Sequence, residues 1–400
     1  MNRREFIQRS IILGGSIAFS PQLLWGTGNM KEKQKVLLLL ELKGGNDSLN
    51  TFIPYKDQHY YSNRPNIAIP KAKVLPITNT VALHPSMDEF QYFWRKGELA
   101  ILPGLGYADP NRSHFRSIDI WNTASASDEY LSEGWIAPLL QKKYAHSKKL
   151  VHGIVIGNGN EGPLYGEGMN NVMIQNIHKF LREGKRQQDD VVVQYKKEVT
   201  RYQKKNPALS HILQTQLNLL QASQELRKQL QNTNKLQMKF PRSRFARHMK
   251  LAAKIIASGM HLPVIKIALG GFDTHNRQLD PHARRLKELS QGLQAFRNAM
   301  VQLGKWDDVL VVSYSEFGRR VAENSSMGTD HGTAATHFML GGAVKRGVYG
   351  EMPSLRQLQN GDLVYTQEYK SLYRTIAEKW WGVEVGNLLQ GNNIVTIPCI

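Results

Sequence analysis

The chain of 400 residues contains a single cysteine, Cys399. One thiol excludes an intrachain disulfide, a CxxC redox pair and a cysteine zinc cluster, and it excludes a cysteine-derived nucleophile in the first half of the chain. Acidic residues are also few, because 33 Asp and Glu stand against 52 Lys and Arg. With 41% hydrophobic and 21% charged residues, the composition excludes a disordered tail, a collagen and a multi-span membrane protein.

The net charge of +19 lies almost wholly outside the N-terminal segment. Residues 1–28 contribute only Arg3, Arg4 and Arg9 against Glu5. So basic a chain is attracted to nucleic acid, acidic polysaccharide, lipid headgroups or phosphate and sulfate esters, although a solvated basic surface explains the same charge. Because no helix-turn-helix, zinc-finger or RNP-type pattern is present, we do not expect nucleic acid to be a partner.

Residues 1–28 have the pattern of a twin-arginine (Tat) signal peptide. Arg3 and Arg4 precede a short apolar stretch at residues 11–19. About 20 apolar residues are needed to span a bilayer, so this stretch is a leader and not a stable transmembrane span. Twin arginines address a protein to the bacterial Tat exporter. The sequence therefore predicts the Tat machinery as a partner and a periplasmic or extracellular location.

Residues 29–400 alternate short apolar runs with helical patterns. The run at 36–42 is typical of a strand buried on both faces, and similar runs lie at 99–102, 152–156, 264–269, 309–313 and 337–340. Between them, apolar residues recur at helical spacing, as at 286–300. This alternation predicts an α/β domain whose mainly parallel sheet is covered by helices on both sides. From about 178 to 255 the strand pattern vanishes, which predicts a helical insertion.

Polar motifs adjoin four of these apolar runs. They occupy residues 43–48, 270–275, 314–320 and 329–333. Because ligands bind beyond the carboxyl ends of parallel strands, we expect these loops to meet in space. The candidate metal ligands within them are Asp47, Asp273, His275, Glu316, Asp330 and His331. Each residue alone is more typical of a loop cap or a surface position, but together they favour a divalent metal site. Mixed carboxylate and imidazole ligands suit zinc, manganese or a related ion, whereas ligands that are all oxygens suit calcium or magnesium.

A second group of candidates lies at residues 111–117, before a helical pattern. A hydroxyl at a helix N-terminus, such as that of Ser113, lies in a positive field near free backbone N–H groups. Arg112 and Arg116 have the forked geometry that holds phosphate or sulfate oxygens. The segment alone leaves two interpretations equal: a nucleophile beside anion-binding arginines, or a helix cap with solvated arginines.

In this order, the motifs resemble an exported, sulfatase-like family catalogued as domain of unknown function 1501, within the alkaline phosphatase superfamily. The matching segments are 41–47, 111–117, 270–275, 315–319 and 329–333, and with the leader the resemblance covers essentially the whole chain. The resemblance implies an alkaline phosphatase/sulfatase-like, three-layer α/β/α fold over residues 29–400. The metal ligands that it implies are Asp47, Asp273, His275 and His331.

The resemblance also implies roles for the remaining candidates. Ser113 is the nearest hydroxyl to the position of the nucleophile, while His114 is in register and suited to proton transfer. Glu316 stands where an Asp-His pair is expected, which leaves one metal or a more oxygen-rich site. The predicted substrate-binding residues are Asn46, Asn111, Arg112, Arg116 and Arg319.

The leading hypothesis is an exported, metal-dependent hydrolase or transferase that acts on phosphate or sulfate esters of an anionic small molecule or glycan. The absence of a sulfatase cysteine motif argues against a formylglycine sulfatase. The alternative is a non-catalytic periplasmic protein that binds an anionic glycan or assists surface assembly.

Overall fold

The structure is a computed structural model and describes residues 35–145, 151–183, 188–232, 238–391 and 393–400. The predicted signal peptide at residues 1–28 lies outside the described residues. No helix in these described ranges is both long enough and apolar enough to cross a membrane.

Fourteen strands are found in the described ranges. They are β1 (Val36–Lys43), β2 (Phe52–Ile53), β3 (Leu75–Pro76), β4 (Ala82–Leu83), β5 (Leu99–Gly106), β6 (Gly153–Ile156), β7 (Asn171–Ile174), β8 (Val264–Gly270), β9 (Val309–Tyr314), β10 (Ala335–Leu340), β11 (Gly347–Val348), β12 (Leu358–Gln359), β13 (Asp362–Leu363) and β14 (Gln367–Glu368).

The α-helices of the described ranges lie between these strands and after them. They are α1 (Ser48–Thr51), α2 (Gln58–Ser62), α3 (Asp88–Lys96), α4 (His114–Thr123), α5 (Ile136–Lys143), α6 (Ile177–Glu183), α7 (Gln188–Tyr202), α8 (Pro207–Asn232), α9 (Arg244–Ala257), α10 (Leu279–Gln302) and α11 (Lys370–Thr375).

The central sheet has nine strands. Eight follow the order β11-β5-β10-β9-β1-β8-β6-β7, and β14 pairs with β5 beside β11. Among these strands only β10 is antiparallel to its neighbours, β5 and β9. β1 lies at the centre, between β8 and β9. The predicted, mainly parallel sheet is therefore confirmed.

Helices cover both faces of this sheet. Leu38 and Leu40 of β1 belong to a core that includes residues of α3, α8, α9 and α10, whereas Leu37 and Leu39 belong to a second core with residues of α4, α5 and α11. Because successive side chains of a strand point to opposite faces, a run of leucines buries both sides at once. The predicted three-layer α/β/α architecture follows from this arrangement.

The segment between β7 and β8 contains α6, α7, α8 and α9. Ser243 caps the N-terminus of α9, because its hydroxyl accepts a hydrogen bond from the backbone nitrogen of Ala246. Phe245 and Met249 of this helix are buried in the same core as Leu38. α9 is therefore part of a layer that covers the sheet.

One edge of the sheet gathers the polar loops. The strands β1, β5, β8 and β9 all end there, and β10 begins there because it runs antiparallel. At Gly44, just after β1, φ is +115° and a Cβ atom would lie 2.4 Å from the backbone nitrogen of Asp273. Only glycine allows the loop after β1 to approach the loop after β8 so closely.

Candidate metal centre

Three imidazoles surround the carboxylate of Asp273 at this edge. The Nε2 atom of His275 lies 3.0 Å from Asp273 Oδ1, and that of His331 lies 3.4 Å from the same oxygen. The Nε2 atom of His114 lies 3.5 Å from Asp273 Oδ2. We call these four side chains the histidine cluster. In the described part of the chain, the potential ligand atoms of His114, Asp273 and His331 all lie within 4.8 Å of one another.

Each imidazole of the cluster is held through its other nitrogen, Nδ1. The partners are Glu316 Oε1 for His114 (3.0 Å), Asp330 Oδ1 for His275 (3.2 Å) and the backbone oxygen of Arg112 for His331 (2.8 Å). Carboxylate and carbonyl oxygens accept hydrogen bonds, so each Nδ1 carries the proton and each Nε2 presents a lone pair. Metal-binding histidines are held in this way by carboxylates and backbone carbonyls.

The contact between His275 and His331 requires a positive charge. Their Nε2 atoms are 2.9 Å apart. Two lone pairs repel at that distance unless a cation lies between them, either a proton on one imidazole or a metal ion. Two nitrogens bound to one tetrahedral zinc ion at about 2.05 Å are roughly 3.3 Å apart. The spacing and the donor set of three imidazoles and one carboxylate therefore fit a zinc-like divalent ion.

Three pieces of chain supply the cluster. His114 begins α4, Asp273 and His275 follow β8, and His331 precedes β10. The ring of Phe317, just after β9, packs against two of the imidazoles, at 4.9 Å from His114 and 4.4 Å from His331 between ring centroids. The convergence of loops from three strand ends, which the sequence predicted, is thus present in the structure.

Arg319 is a buried cation beside Asp273. Its Nη2 donates to Asp273 Oδ1 at 2.6 Å, and its Nη1 lies 3.5 Å from His275 Nε2. Burial alone raises the pKa of Asp273, but the hydrogen bond and charge of Arg319 outweigh it and hold that pKa below its ordinary 3.8. Nε and Nη1 of Arg319 also donate to the carbonyls of Gly45 and Thr329. The substrate-binding role of Arg319 stays a prediction, which the structure disfavours because the side chain is fully buried and its donors are used inside the protein.

Asp47 lies outside the histidine cluster. Its side chain is 1% exposed, Oδ1 accepts from the backbone nitrogen of Leu49, and Oδ2 accepts from Arg64 Nη1 at 2.6 Å and from Gln278 Nε2. Burial raises the pKa of Asp47, but Arg64 more than reverses this effect, and the pKa lies below 3.8. The metal-binding role of Asp47 stays a prediction, which the pairing with Arg64 disfavours because the arginine already supplies the counter-charge.

Asp47 instead supports the loops that carry the cluster. Gln278, which donates to Asp47, accepts hydrogen bonds from the hydroxyls of Thr274 at 3.0 Å and Thr329 at 2.6 Å. Thr274 belongs to the loop after β8, and Thr329 belongs to the loop before β10. The buried network therefore ties the two loops that bring imidazoles to the cluster.

Asn46 is also buried and belongs to the interior. Its Nδ2 donates to Thr51 Oγ1 at 3.1 Å, and its Oδ1 lies 3.0 Å from Nε2 of His282. Burial lowers the pKa of His282 to about 4, so the imidazole is neutral at pH 7 and donates to Asn46. The substrate-binding role of Asn46 stays a prediction, which the structure disfavours because the side chain is buried and already paired.

Glu316 and Asp330 orient imidazoles of the cluster. Besides facing His114, Glu316 Oε1 accepts from the backbone nitrogen of Gly44 at 2.8 Å. Asp330 accepts from Asn324 Nδ2 at 3.0 Å, and this hydrogen bond is the main reason that the pKa of Asp330 lies below 3.8. Their role as metal ligands stays a prediction, and in the structure each carboxylate meets the cluster through the Nδ1 atom of a histidine.

His114 is the first residue of α4, and its side chain belongs to the histidine cluster. Ser113 precedes the first helical turn, its side chain is exposed, and its hydroxyl makes no capping hydrogen bond. The role of His114 in proton transfer stays a prediction, and the position of its Nε2 atom, 3.5 Å from Asp273 Oδ2, suits a metal ligand as well. The nucleophilic role of Ser113 stays a prediction.

The guanidinium of Arg116 binds to groups of its own helix and of the turn that follows it. It pairs with Asp119 and donates to the backbone oxygens of Ala126, Ser127 and Glu129. The side chain is 10% exposed and packs on the ring of Tyr130, so the structure disfavours the substrate-binding role of Arg116, which stays a prediction.

Arg112 and Asn111 border an open cavity of about 490 Å³. Arg112 is 39% exposed, and its Nη2 pairs with Asp362 Oδ2 at 2.5 Å. Asn111 Oδ1 accepts from the backbone nitrogen of Ser113 at 2.8 Å. The substrate-binding role of these two residues stays a prediction that their position beside the cavity allows.

A second cavity of about 510 Å³ borders the cluster directly, and we call it the Phe115 cleft. It is lined by residues that include Glu41, Lys43, His114, Phe115, Asn160 and Asp273. The side chain of Phe115 is 89% exposed. An ester group placed at His114 and Asp273 would have room for its organic portion in this cleft.

Arg64 and Gln278 are the supporting residues that the sequence did not reveal. Arg64 lies 17 positions after Asp47 in a segment without a motif, and Gln278 lies 231 positions after it. No local signal links these positions to Asp47. A signal for His114 did exist, since the register of the resemblance already favoured it over Ser113 by one residue.

A family model described as "Protein of unknown function (DUF1501)" matches residues 34–378. This chain belongs to that family. The predicted family is therefore confirmed over most of the chain. No curated protein matches the sequence.

Several solved structures resemble the DUF1501 chain at low identity. The lipoteichoic acid synthase LtaP from Listeria monocytogenes is 9% identical, with 91% of this chain and 76% of that one covered and a TM-score of 0.43. A protein of the alkaline phosphatase superfamily from Vibrio parahaemolyticus is 10% identical, with 91% and 69% covered and a TM-score of 0.43. The PsFucS1 sulfatase from Pseudoalteromonas sp. is 10% identical, with 88% and 68% covered and a TM-score of 0.40. At these scores the activity has to be inferred from the residues of the cluster.

Proposed function

We propose that this chain is a metal-dependent hydrolase or transferase that acts on phosphate or sulfate esters. The observation that carries the proposal is the convergence of three Nε2 atoms within 3.5 Å of the Asp273 carboxylate, with every Nδ1 atom held by an acceptor. A metal site requires histidines that are fixed in one tautomer, so that each presents a nitrogen lone pair to the ion. A surface cluster held by hydrogen bonds alone does not require this.

The residues that would hold the ion are His114, Asp273, His275 and His331. When bound, a divalent ion supplies Lewis-acid polarisation of the ester oxygen and stabilises charge that develops on the transferred group. Arg319 keeps Asp273 ionised, and Glu316 fixes the ring of His114. The exposed Lys43 adds positive charge to the Phe115 cleft, where an anionic ester would enter.

The nucleophile is Ser113 or a water molecule. In support of Ser113, its hydroxyl is exposed and makes no capping bond, and it lies next to His114. Against it, Ser113 does not line the Phe115 cleft.

The function is tested by adding zinc, manganese, magnesium or calcium to metal-free protein and measuring turnover of aryl phosphate, phosphodiester and aryl sulfate substrates. We expect metal-dependent turnover of at least one class, and its loss in His331→Ala. The matched control is His59→Ala, which replaces a histidine at helix α2 that is distant in the chain from the cluster residues. Stoichiometric metal binding without turnover of any ester, together with binding of an anionic glycan, would instead support a non-catalytic glycan-binding protein.

We also propose export by the Tat route to the periplasm or beyond. The support is the arrangement of Arg3 and Arg4 before a short apolar stretch. Changing both arginines to lysine is expected to keep the precursor in the cytoplasm, as measured by cell fractionation. Normal recovery of the variant from the periplasm would contradict this proposal.

A further inference from the structure

The Phe115 cleft contains a buried ion pair that the proposed metal chemistry does not use. Glu41 Oε2 lies 3.0 Å from Lys266 Nζ, and the two side chains are 6% and 1% exposed. Lys266 Nζ also donates to the backbone oxygen and to Oδ1 of Asn160, both at 3.0 Å. Glu41 and Asn160 are both part of the lining of the cleft.

The fold itself does not explain this pair. Glu41 and Lys266 lie on the neighbouring strands β1 and β8, where almost every other residue is apolar. Transfer of two charges out of water costs several kcal/mol per ion, and apolar residues of similar volume in place of such a pair are often neutral or stabilising. An ion pair in the middle of an apolar sheet therefore needs a reason beyond stability.

The position of Glu41 suggests that reason. Because Glu41 is buried and Phe115 is exposed, the carboxylate lies deep in the cleft and the aromatic ring lies at its rim. The apolar residues Ile118 and Ala268 line the same cleft. A carboxylate has about four acceptor positions, of which Lys266 and the buried hydroxyl of Tyr314 account for two at most. The cleft thus offers a buried acceptor that Ile118 and Ala268 flank, next to His114 and Asp273.

We propose that the alcohol portion of the substrate carries a hydroxyl group that donates a hydrogen bond to Glu41, and that Glu41 selects such alcohols over their deoxy analogues. This inference rests on the proposed function, since it assumes that the ester group lies at the histidine cluster. Lys266 already neutralises Glu41, so a neutral hydroxyl suits the site better than an ammonium group. An analogue without the hydroxyl would leave one acceptor position of the buried carboxylate unfilled and shut off from water, which is how a polar pocket rejects apolar ligands.

The test compares two non-hydrolysable probes, 3,4-dihydroxybutylphosphonate and butylphosphonate, which differ only in the hydroxyls. Their affinities are measured by calorimetry on protein supplied with zinc. We expect the wild type to prefer the hydroxylated probe by about 10–100-fold, as for a hydrogen bond to a charged group. In the double variant Glu41→Leu/Lys266→Met, which removes both charges together, we expect the preference to fall below about threefold.

The matched control is Glu98→Gln. Glu98 is also ion-paired, to Arg297 at 2.5 Å and 2.6 Å, but it does not line the cleft, so the preference should be unchanged. If circular dichroism shows that the double variant is unfolded, Glu41→Gln takes its place with the same expectation of a reduced preference.

The outcomes separate this inference from the proposed function. Three results would overturn the role of Glu41, even if simple aryl esters are hydrolysed. The wild type binds both probes equally, it binds neither probe, or the double variant keeps the preference. A preference that depends on Glu41 supports the inference, and failure to hydrolyse the corresponding phosphate and sulfate esters would then count against the proposed hydrolase alone.

Discussion

Two aspartates that both pair with a buried arginine are expected to respond oppositely to the same isosteric change. Asp47 pairs with Arg64 at 2.6 Å, and Asp273 pairs with Arg319 at 2.6 Å. Replacement by asparagine removes one charge and keeps the shape in both cases. We expect Asp47→Asn to destabilise the fold and to leave metal affinity unchanged, and Asp273→Asn to abolish metal binding with a smaller loss of stability.

The magnitudes follow from burial. The side chains of Asp47 and Arg64 are 1% and 0% exposed, so Asp47→Asn leaves an uncompensated interior charge, which costs about 3–5 kcal/mol of unfolding free energy. The side chain of Asp273 is 47% exposed, and Arg319 keeps its carbonyl acceptors, so Asp273→Asn should cost less than about 2 kcal/mol. Mutation of a residue that only orients a metal ligand lowers metal affinity about 10–100-fold. Because Asp273 is itself a proposed ligand, Asp273→Asn should lower the affinity by more than that.

The contribution of Asp47 also has a defined pH dependence. Its folded pKa lies below the unfolded value of 3.8, so its stabilising effect is complete above that pH and is lost as the pH falls through the folded pKa. Asp47→Asn should therefore flatten the acid limb of the stability curve below about pH 4.

The assay combines urea unfolding of metal-free protein with zinc titration against a chromophoric chelator. Because both variants are Asp→Asn beside an arginine, each is the control for the other. The reasoning is refuted if Asp47→Asn weakens zinc binding as strongly as Asp273→Asn does, since that would make Asp47 a ligand.

Three further predictions follow from individual side chains. Glu316→Gln should lower zinc affinity about 10–100-fold while the protein stays folded, because His114 loses the carboxylate that fixes its ring; unchanged affinity would contradict the positioning role. His337 is buried with neither ring nitrogen hydrogen-bonded, and burial lowers its pKa to about 3. Between pH 6.5 and about 3, the imidazole binds a proton only in the unfolded state, so the free energy of unfolding falls by up to about 1.4 kcal/mol per pH unit as the pH drops. In urea unfolding across this pH range, His337→Leu should reduce the slope by the equivalent of one proton. Ser113→Ala should change stability by less than about 0.5 kcal/mol, since the hydroxyl caps nothing, and should lower turnover by orders of magnitude; unchanged kcat would leave water as the nucleophile.

The sequence predicted the sheet and the convergence of its loops because both depend on local patterns. The apolar run of β1 reads as a strand buried on two faces, and the polar residues after β8 and β9 must meet at one edge if those strands are parallel. Asp273, His275 and His331 come together for that reason. The start of β10 reaches the same edge only because that strand is antiparallel.

The roles of single carboxylates could not be predicted, because counter-charges come from distant positions. Nothing in the sequence around Asp47 shows that Arg64 and Gln278 occupy its oxygens. In the same way, Arg116 looks free in the sequence, whereas the turn that follows α4 supplies backbone oxygens for its donors. Burial and pairing are properties of the assembled fold.

The two buried arginines explain why the centre is built around one carboxylate and three imidazoles. Arg64 encloses Asp47 completely, so that this carboxylate has no oxygen left for an ion. Arg319 reaches Asp273 from inside the protein while almost half of that side chain stays exposed, so Asp273 remains charged and still faces the histidines. A buried guanidinium can thus act in two ways: it takes the place of a metal ion at a carboxylate, or it keeps the carboxylate ionised so that a metal ion can bind. The exposure of the carboxylate decides between these effects. By this reasoning we expect the proposed metal ion to bind at Asp273, whereas the interior around Asp47 needs no cation besides Arg64.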